Sequence, residues 1–204
     1  MYSVVSLRRI LYTDKGMEDY KKLTILIDMD DTIEQLLLAW VCYLNERYGT
    51  SVSYADIKTW NVADAFQGLT KEQVYEVLDE EDLWKRVLPM PGAQESLKRL
   101  YEKGHAIYIV TATTYLSVKA KMEHVLFRYF PFISWKNVII TSNKQMLKAD
   151  VLIDDGVHNL LNADYEKILM TAPNNLDFDA EKHGMFRVSC WTEAEEIIDM
   201  LAKK

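Results

Sequence analysis

The sequence predicts an α/β fold in which a doubly wound parallel sheet carries helices on both faces. Two features of its 204 residues support this prediction. Short, continuously apolar segments alternate with longer amphipathic segments, and polar residues directly follow several of the apolar ones. Continuous apolarity is typical of strands buried on both faces of a parallel sheet, and helices between such strands form right-handed crossovers.

Four strands are predicted from the apolar segments, and a fifth from a weaker one. The first covers residues 23–27 and ends abruptly at Asp28. The later strands are predicted at residues 106–110, 138–140 and 151–153, with the weaker one at residues 168–170.

Helices are predicted where apolar positions recur every three or four residues. One begins after Pro91-Gly92 and ends at Gly104, since proline favours the first helical turn and glycine favours a helix end. A second covers residues 115–130 and stops before a proline, and a final amphipathic helix covers residues 192–202.

A helical segment interrupts this alternation after the first strand. Residues 34–88 contain no convincing strand, and Thr70-Lys71-Glu72-Gln73 forms a capping box that predicts a helix start. We expect this segment to form a small helical cap over the carboxyl end of the first strand, where open α/β sheets bind ligands. Most of its aromatic side chains are expected to form the cap's own core. The predicted domains are an α/β core of residues 23–33 and 89–204, the cap, and an N-terminal extension of residues 1–22.

The composition excludes several functional classes. The formal net charge of −7 argues against a nucleic-acid polymer as the main partner, because binding to its backbone needs clustered lysine and arginine. Two distant cysteines, Cys42 and Cys190, predict neither a disulfide framework nor a zinc site and suit a reducing cytoplasm. Cys42 lies among apolar helical residues and is expected to be buried.

The sequence also predicts no membrane partner. No apolar run is long enough to span a bilayer, and no apolar stretch follows Arg8 and Arg9 as a signal peptide requires. We therefore expect a cytoplasmic protein. The sequence leaves open whether the chain forms a homodimer.

Polar side chains follow the predicted strands at the points where the strands end. The set comprises Asp28 and Asp30 after the first strand, Thr111 after the second, Lys144 after the third, and Asp154 with Asp155 after the fourth. Because the carboxyl ends of parallel strands meet at one edge of a sheet, we expect these side chains to converge. A single aspartate at a strand end is usually an ordinary solvated turn residue, but four coincident strand ends indicate a site. Among the four histidines, His158 alone is expected near it.

This set of side chains suits phosphoryl chemistry. Asp28, Asp154 and Asp155 offer the hard oxygen ligands that Mg²⁺ prefers. A lysine and a threonine beside them supply donors for an anion that bridges to the metal. Two carboxylates two residues apart can take separate roles, one attacking phosphorus and the other handling the proton of the leaving group. Lys148 is an alternative to Lys144 for the ammonium.

These residues resemble the four motifs of the haloacid dehalogenase superfamily of phosphohydrolases, in the same order and at compatible spacing. The motifs are Asp28-x-Asp30-x-Thr32, Thr111, Lys144 and the pair Asp154-Asp155. The resemblance implies a Rossmann-type core in which Asp28 attacks the phosphate to form an aspartyl-phosphate and Asp30 acts as acid and then as base. It also implies that Mg²⁺ is held by Asp28, the main-chain carbonyl of Asp30, and one or both of Asp154 and Asp155. Lys144 would offset the charge of the phosphoryl group, and Thr111 would hold its oxygens.

A more specific similarity is to the 5′(3′)-deoxyribonucleotidase family. It is carried by Leu88-Pro89-Met90-Pro91-Gly92-Ala93, by Ile109-Val110-Thr111, and by Ile140-Thr141-Ser142-Asn143-Lys144 running without gaps to Asp154-Asp155. The similarity implies a nucleoside monophosphate as substrate, contacted by Thr111, Ala112, Thr113, Lys144 and, at the base, Trp60 and Phe66. Asp31 stands where these nucleotidases usually carry glycine. Ala112 and Thr113 also replace the more usual residues after the threonine.

Three alternatives remain open at this point. The same chemistry could act on another small phosphate, such as a sugar phosphate. A signalling receiver domain also combines acids, a threonine and a lysine, but it places its acid pair before the phosphoacceptor aspartate and has no helical insertion between them. A catalytically silent phosphate-binding protein would not need the intact set of Asp28, Asp30, Thr111 and Lys144.

Overall fold

The strands form one sheet with the first strand near its centre. The computed structural model describes residues 20–161 and 163–203. The strands are β1 (Thr24–Ile27), β2 (Ala106–Thr111), β3 (Val138–Ile140), β4 (Val151–Asp154), β5 (Glu166–Met170) and β6 (Met185–Val188). All neighbouring pairs are parallel, in the order β3-β2-β1-β4-β5-β6. The predicted doubly wound parallel sheet is therefore confirmed.

Alternate residues of each central strand pack on opposite faces of the sheet. In β1, Ile25 and Ile27 join the larger core cluster, whereas Leu26 joins the smaller one on the other side. In β4, Ile153 and Leu152 divide in the same way. Burial on both faces explains why these strands are continuously apolar in the sequence.

Helices and short turns connect the strands. The α-helices are α1 (Leu36–Tyr48), α2 (Lys71–Tyr75), α3 (Glu81–Trp84), α4 (Ala93–Glu102), α5 (Val118–Lys121), α6 (Phe127–Tyr129), α7 (Val157–Leu160) and α8 (Trp191–Ala202). Single 3₁₀ turns cover Tyr54–Asp56, Val62–Ala65, Glu76–Asp79, Trp135–Asn137, Lys144–Met146, Pro173–Asn175 and Glu181–His183.

The helix predicted at residues 115–130 is shorter than expected and interrupted. It begins only at Val118, and a π-helical turn at Met122–Leu126 separates α5 from α6. Such turns insert one residue into the helical register and are frequent at functional sites.

Strand β6 is the one element of the sheet that the sequence did not predict. It has four residues at the edge of the sheet and carries Arg187 in its middle. The Arg187 guanidinium donates to the carbonyl oxygens of Asn175 and Phe178, at 3.0 and 2.6 Å. Arg187 is held by partners in the preceding loop, which lie outside the strand itself. The local apolar pattern was therefore not enough to predict β6.

The predicted cap consists of α1, α2 and α3 with short turns between them. An isolated bridge between Glu34 and Pro89 closes the cap segment where it leaves and rejoins the core. The capping box at the start of α2 is present, since Thr70 and Gln73 exchange hydrogen bonds of 2.8 and 3.2 Å. Trp40 and Trp84 are buried, in accord with the expected aromatic core of the cap.

Three other expectations concern the surface and the chain start. Cys42 is exposed, so its predicted burial was wrong; the buried face of α1 instead carries Leu36, Leu37, Ala39, Trp40, Val41 and Leu44.

Of the predicted extension, residues 1–19 lie outside the described residues, and the Lys21 N–H bonds to the Ala202 carbonyl at 2.8 Å. Within the described part of the chain, none of the helices combines the length and apolar character needed to cross a bilayer.

An ion-pair network joins α4 to α8. Arg99 donates from Nε and Nη2 to Glu195, at 3.0 and 2.6 Å, and Lys103 donates to the same carboxylate at 3.0 Å. Burial raises the pKa of Glu195, but the hydrogen bonds from Arg99 and Lys103 outweigh it and lower the pKa to about 2. Folding therefore depresses this pKa, so the network stabilises the fold above the ordinary pKa and its contribution is lost as the pH falls towards about 2.

Glu195→Gln is expected to lower the free energy of unfolding by about 2 kcal/mol near neutral pH, because it removes charged hydrogen bonds from a nearly buried carboxylate. The difference from the wild type should shrink as the pH falls, since the wild type then loses the same interaction. Urea unfolding at neutral and acidic pH measures both effects. Glu196→Gln, at the exposed neighbouring position, is the matched control. Equal destabilisation by the two variants would contradict this account.

Candidate active site

The first and fourth strands bring two aspartates together at the switch point of the sheet. Asp28 directly follows β1 and Asp154 ends β4, and these two strands are neighbours. The Asp28 N–H donates to the Ile153 carbonyl at 2.9 Å, which continues the ladder between the strands. Ligands of open α/β sheets bind at this point, where connections leave to opposite sides.

Lys144 joins these aspartates from the third strand end. It lies in the 3₁₀ turn after β3, is buried, and forms ion pairs with Asp28 and with Asp154, the latter at 2.6 Å. Burial lowers the pKa of Lys144, but the attraction of the two carboxylates outweighs it and raises the pKa above its usual value. Lys148 is exposed, so the structure brings Lys144 rather than Lys148 to the site.

Three carboxylates form a buried group beside Lys144. Asp28, Asp154 and Asp155 each offer an oxygen, and these oxygens lie within 4.8 Å of one another. Burial raises the pKa of Asp28 to about 7, with Lys144 opposing the shift and Asp154 adding to it. Burial and the charge of Asp154 raise the pKa of Asp155 well above its usual range. One ammonium does not neutralise three carboxylates, and this all-oxygen donor set fits a hard divalent cation such as Mg²⁺.

The Asp30 side chain lies apart from this carboxylate group and pairs with a lysine that the sequence analysis missed. Lys121 Nζ donates to Asp30 Oδ2 at 2.6 Å and to Thr111 Oγ1 at 2.7 Å. Lys121 is three residues from Val118 and four residues from Val125, so it falls on the apolar face of the helix predicted at residues 115–130. A lysine on a predicted apolar face was the available signal.

Thr111 is the last residue of β2 and is fully buried. Its hydroxyl accepts from Lys121, and its neighbour Ala112 lines the cavity described below. A direct contact of Thr111 with a substrate oxygen therefore stays a prediction.

Asp31 fills the position at which the resemblance to deoxyribonucleotidases leads us to expect glycine. Its backbone is left-handed, with φ of 52°, a conformation that aspartate tolerates better than most residues. Both of its carboxylate oxygens lie 3.1 Å from the Leu37 N–H near the start of α1. The side chain thus caps the first cap helix and offsets the backbone cost of replacing glycine.

A cavity of about 370 Å³ opens between the strand ends and the cap. Its polar floor contains Asp28, Asp30, Lys144 and Asp155, and one wall is apolar. That wall is formed by Leu36, Leu37, Trp40, Trp60, Val62, Tyr75 and Leu78. A smaller adjoining cavity of about 270 Å³ is lined by Thr113 and Lys121 and also reaches Asp30.

The two aromatic residues predicted to contact a substrate have different positions. Trp60 lines the cavity, is 57% exposed, and contacts the His158 ring edge-to-face at a centroid distance of 4.5 Å. Phe66 is 1% exposed and packs in the core, so the structure does not support its predicted contact. Tyr75 takes a place in the wall that the sequence did not assign. The position of His158 at the cavity agrees with the expectation for that histidine.

Comparisons with known proteins identify relatives along almost the whole chain. Residues 21–204 match the family described as 5′ nucleotidase, deoxy (Pyrimidine), cytosolic type C protein. A 5′(3′)-deoxyribonucleotidase of Bacillus subtilis is 38% identical over 175 residues, which cover 85% of this chain and 97% of that protein. A 5′(3′)-deoxyribonucleotidase of Clostridium acetobutylicum is 32% identical over 180 residues, covering 88% and 97%.

Solved structures share the fold at low sequence identity. A haloacid dehalogenase-like hydrolase from Streptococcus pneumoniae superposes with a TM-score of 0.63 at 14% identity, over 86% of this chain and 98% of that one. A haloacid dehalogenase hydrolase from Bacillus subtilis, solved bound to magnesium, gives a TM-score of 0.53 at 15% identity, over 87% and 99%. These likenesses support a haloacid dehalogenase-like, Rossmann-type core.

The order of the strand-end residues, the fold and the sequence matches agree with one another. The chain belongs to the 5′ nucleotidase, deoxy (Pyrimidine), cytosolic type C family and is a phosphoric monoester hydrolase of the haloacid dehalogenase-like class.

Proposed function

We propose that this enzyme is a Mg²⁺-dependent 5′(3′)-deoxyribonucleotidase that hydrolyses (deoxy)nucleoside monophosphates through an aspartyl-phosphate. The observation that carries the proposal is the cavity, whose charged floor suits a phosphate and whose aromatic wall suits a base. Its volume lies in the usual range for small-molecule sites. The names of the curated relatives support the same substrate class.

The covalent step is assigned to Asp28. Its carboxylate oxygen attacks phosphorus in line, the bond to the ester oxygen breaks, and Asp30 donates a proton to that oxygen. Asp30 then accepts a proton from the water that hydrolyses the aspartyl-phosphate, which returns Asp28 to its starting form. Lys144, in contact with Asp28, offsets the charge of the phosphoryl oxygens. Ala112 lines the cavity and Thr113 lines the adjoining one, and Thr111 is assigned to hold the phosphoryl oxygens beside them.

The residues proposed to hold Mg²⁺ are Asp28, the main-chain carbonyl of Asp30, and the pair Asp154 and Asp155 at the end of β4. Asp154 already accepts hydrogen bonds from Lys144, the Gly156 N–H and Asn159. Asp155 lines the cavity, so we assign it as the direct ligand of this pair. When bound, the ion supplies positive charge to the phosphoryl oxygens.

The apolar wall of the cavity, which includes the ring of Trp60, is proposed to bind the nucleobase. Trp60 lies at the cavity with much of its ring exposed, as a stacking surface requires. A sugar phosphate would leave this wall largely uncovered, which favours the nucleotide over that alternative.

A phosphatase screen tests the substrate class. The deoxynucleoside monophosphates are expected to exceed every sugar phosphate in kcat/KM by at least about tenfold, the margin expected when a sugar phosphate leaves the apolar wall uncovered. Removal of metal with EDTA should abolish turnover, and added Mg²⁺ should restore it. A sugar phosphate that exceeded all nucleotides tenfold would overturn the nucleotidase assignment.

Two further expectations belong to this proposal. The exposed, free thiols of Cys42 and Cys190 support a reducing cytoplasmic location. Formation of a homodimer stays a prediction, which light scattering can test.

A further inference from the structure

Lys121 lies in a setting that a purely structural lysine rarely occupies. It is 1% exposed, and its ammonium bonds to two residues of the active site, Asp30 and Thr111. The ammonium also lies 5.3 Å from the ring centroid of Trp84 in the cap. Burying a lysine is costly unless its ammonium is hydrogen-bonded, and Asp30 and Thr111 accept those bonds.

Asp30 in turn lies among other acidic groups, and burial, with a smaller contribution from the charge of Asp30, raises the pKa values of Asp28, Asp31 and Glu34. Glu34 is fully buried, and neither of its carboxylate oxygens has a hydrogen-bond donor among the described residues. Lys121 donates to the Asp30 carboxyl group at 2.6 Å, so without Lys121 this group would lose the contact that fixes its position.

The backbone next to Lys121 departs from a regular α-helix. Lys121 ends α5, and the π-helical turn at Met122–Leu126 follows it immediately. The wider turn changes the direction of side chains relative to an uninterrupted helix, and such turns are frequent at functional sites. Thr111, at the end of β2, accepts a second hydrogen bond from the Lys121 ammonium.

We propose that Lys121 is a positioning residue that holds the Asp30 carboxyl group where it can pass a proton to the departing oxygen. This inference rests on the proposed function, in which Asp30 protonates the leaving group as the bond from phosphorus to the ester oxygen breaks. Lys121 itself neither touches the substrate nor gives up a proton. Its loss is expected to weaken the proton transfer and to leave the attack of Asp28 intact.

The test compares two leaving groups in Lys121→Met. A deoxynucleoside monophosphate releases an alkoxide that needs a proton, whereas p-nitrophenyl phosphate releases a stabilised phenolate that does not. In a single turnover, we expect release of the leaving group to slow about 100-fold with the nucleotide and no more than about threefold with p-nitrophenyl phosphate, since general acid catalysis serves only the poor leaving group. Lys121→Arg, which keeps the charge, should recover part of the nucleotide activity.

The control is Lys119→Met, on the same short helix, where the lysine side chain is 79% exposed. It should leave both activities at the wild-type level. If Lys121→Met does not fold, Lys121→Gln takes its place with the same comparison.

Equal losses with both substrates in a folded variant would overturn the inference, because a general structural defect does not distinguish leaving groups. Failure of the wild type to hydrolyse nucleotides would instead refute the proposed function, so the two failures can be told apart.

Discussion

Asp28→Asn is expected to lower kcat for a deoxynucleoside monophosphate by about 10⁴-fold or more, the scale seen when a nucleophile is removed. The amide has nearly the same shape as the carboxyl group but cannot attack phosphorus. Phosphate release under saturating substrate and Mg²⁺ measures the effect. This is the largest effect that the account predicts.

The fold should survive this substitution. Asp28 is buried among like charges, and burial raises its pKa to about 7, so its ionised form is not what stabilises the metal-free protein. Lys144 retains Asp154 as a partner. A melting temperature close to that of the wild type would show that the activity loss is chemical. The exposed variant Asp177→Asn is the control for the same side-chain change. Undiminished hydrolysis by Asp28→Asn would refute the covalent mechanism.

Lys144→Met is expected to impair both catalysis and stability. Loss of one preorganised electrostatic stabiliser typically lowers kcat by about 10²- to 10³-fold. Without Lys144, the buried carboxylates of Asp28 and Asp154 lose their shared ion-pair partner. Breaking a buried pair in this way should lower the free energy of unfolding by about 3 kcal/mol when metal is removed with EDTA.

The matched control for this variant is Lys148→Met, at the exposed lysine four residues later. It should change the free energy of unfolding by less than about 0.5 kcal/mol, as surface substitutions usually do. Added Mg²⁺ should reduce the stability loss of Lys144→Met, because a bound cation would replace part of the missing charge. Equal kinetic effects of the two lysine variants would contradict the assignment of Lys144.

The convergence of Asp28, Lys144, Asp154 and Asp155 could be predicted because it depends on topology. Parallel strands place their carboxyl ends at one edge, so residues far apart in the sequence meet without knowledge of side-chain packing. The strand positions could be predicted because strands that are buried on both faces of a sheet are continuously apolar in the sequence. Edge strand β6 lacked that pattern, and it was missed.

The cap could be predicted as an insertion but not in its packing. Phe66 and Tyr75 are both aromatic residues of the cap, yet Phe66 fills the core and Tyr75 faces the cavity. That difference depends on how short helices cross one another, which local periodicity does not specify. Lys121 was missed because its role depends on long-range pairing with Asp30, 91 residues away in the sequence.

The central claim, that the phosphoryl group passes through Asp28 before it reaches water, is tested most directly by the stereochemical course at phosphorus. The wild-type enzyme hydrolyses a deoxynucleoside phosphorothioate that carries sulfur and two different oxygen isotopes on phosphorus, in water enriched in the third isotope, so that the released thiophosphate is chiral. Each in-line displacement inverts the configuration, so two successive displacements through an aspartyl-phosphate predict overall retention. Overall inversion would show a single direct attack by water and would contradict the account.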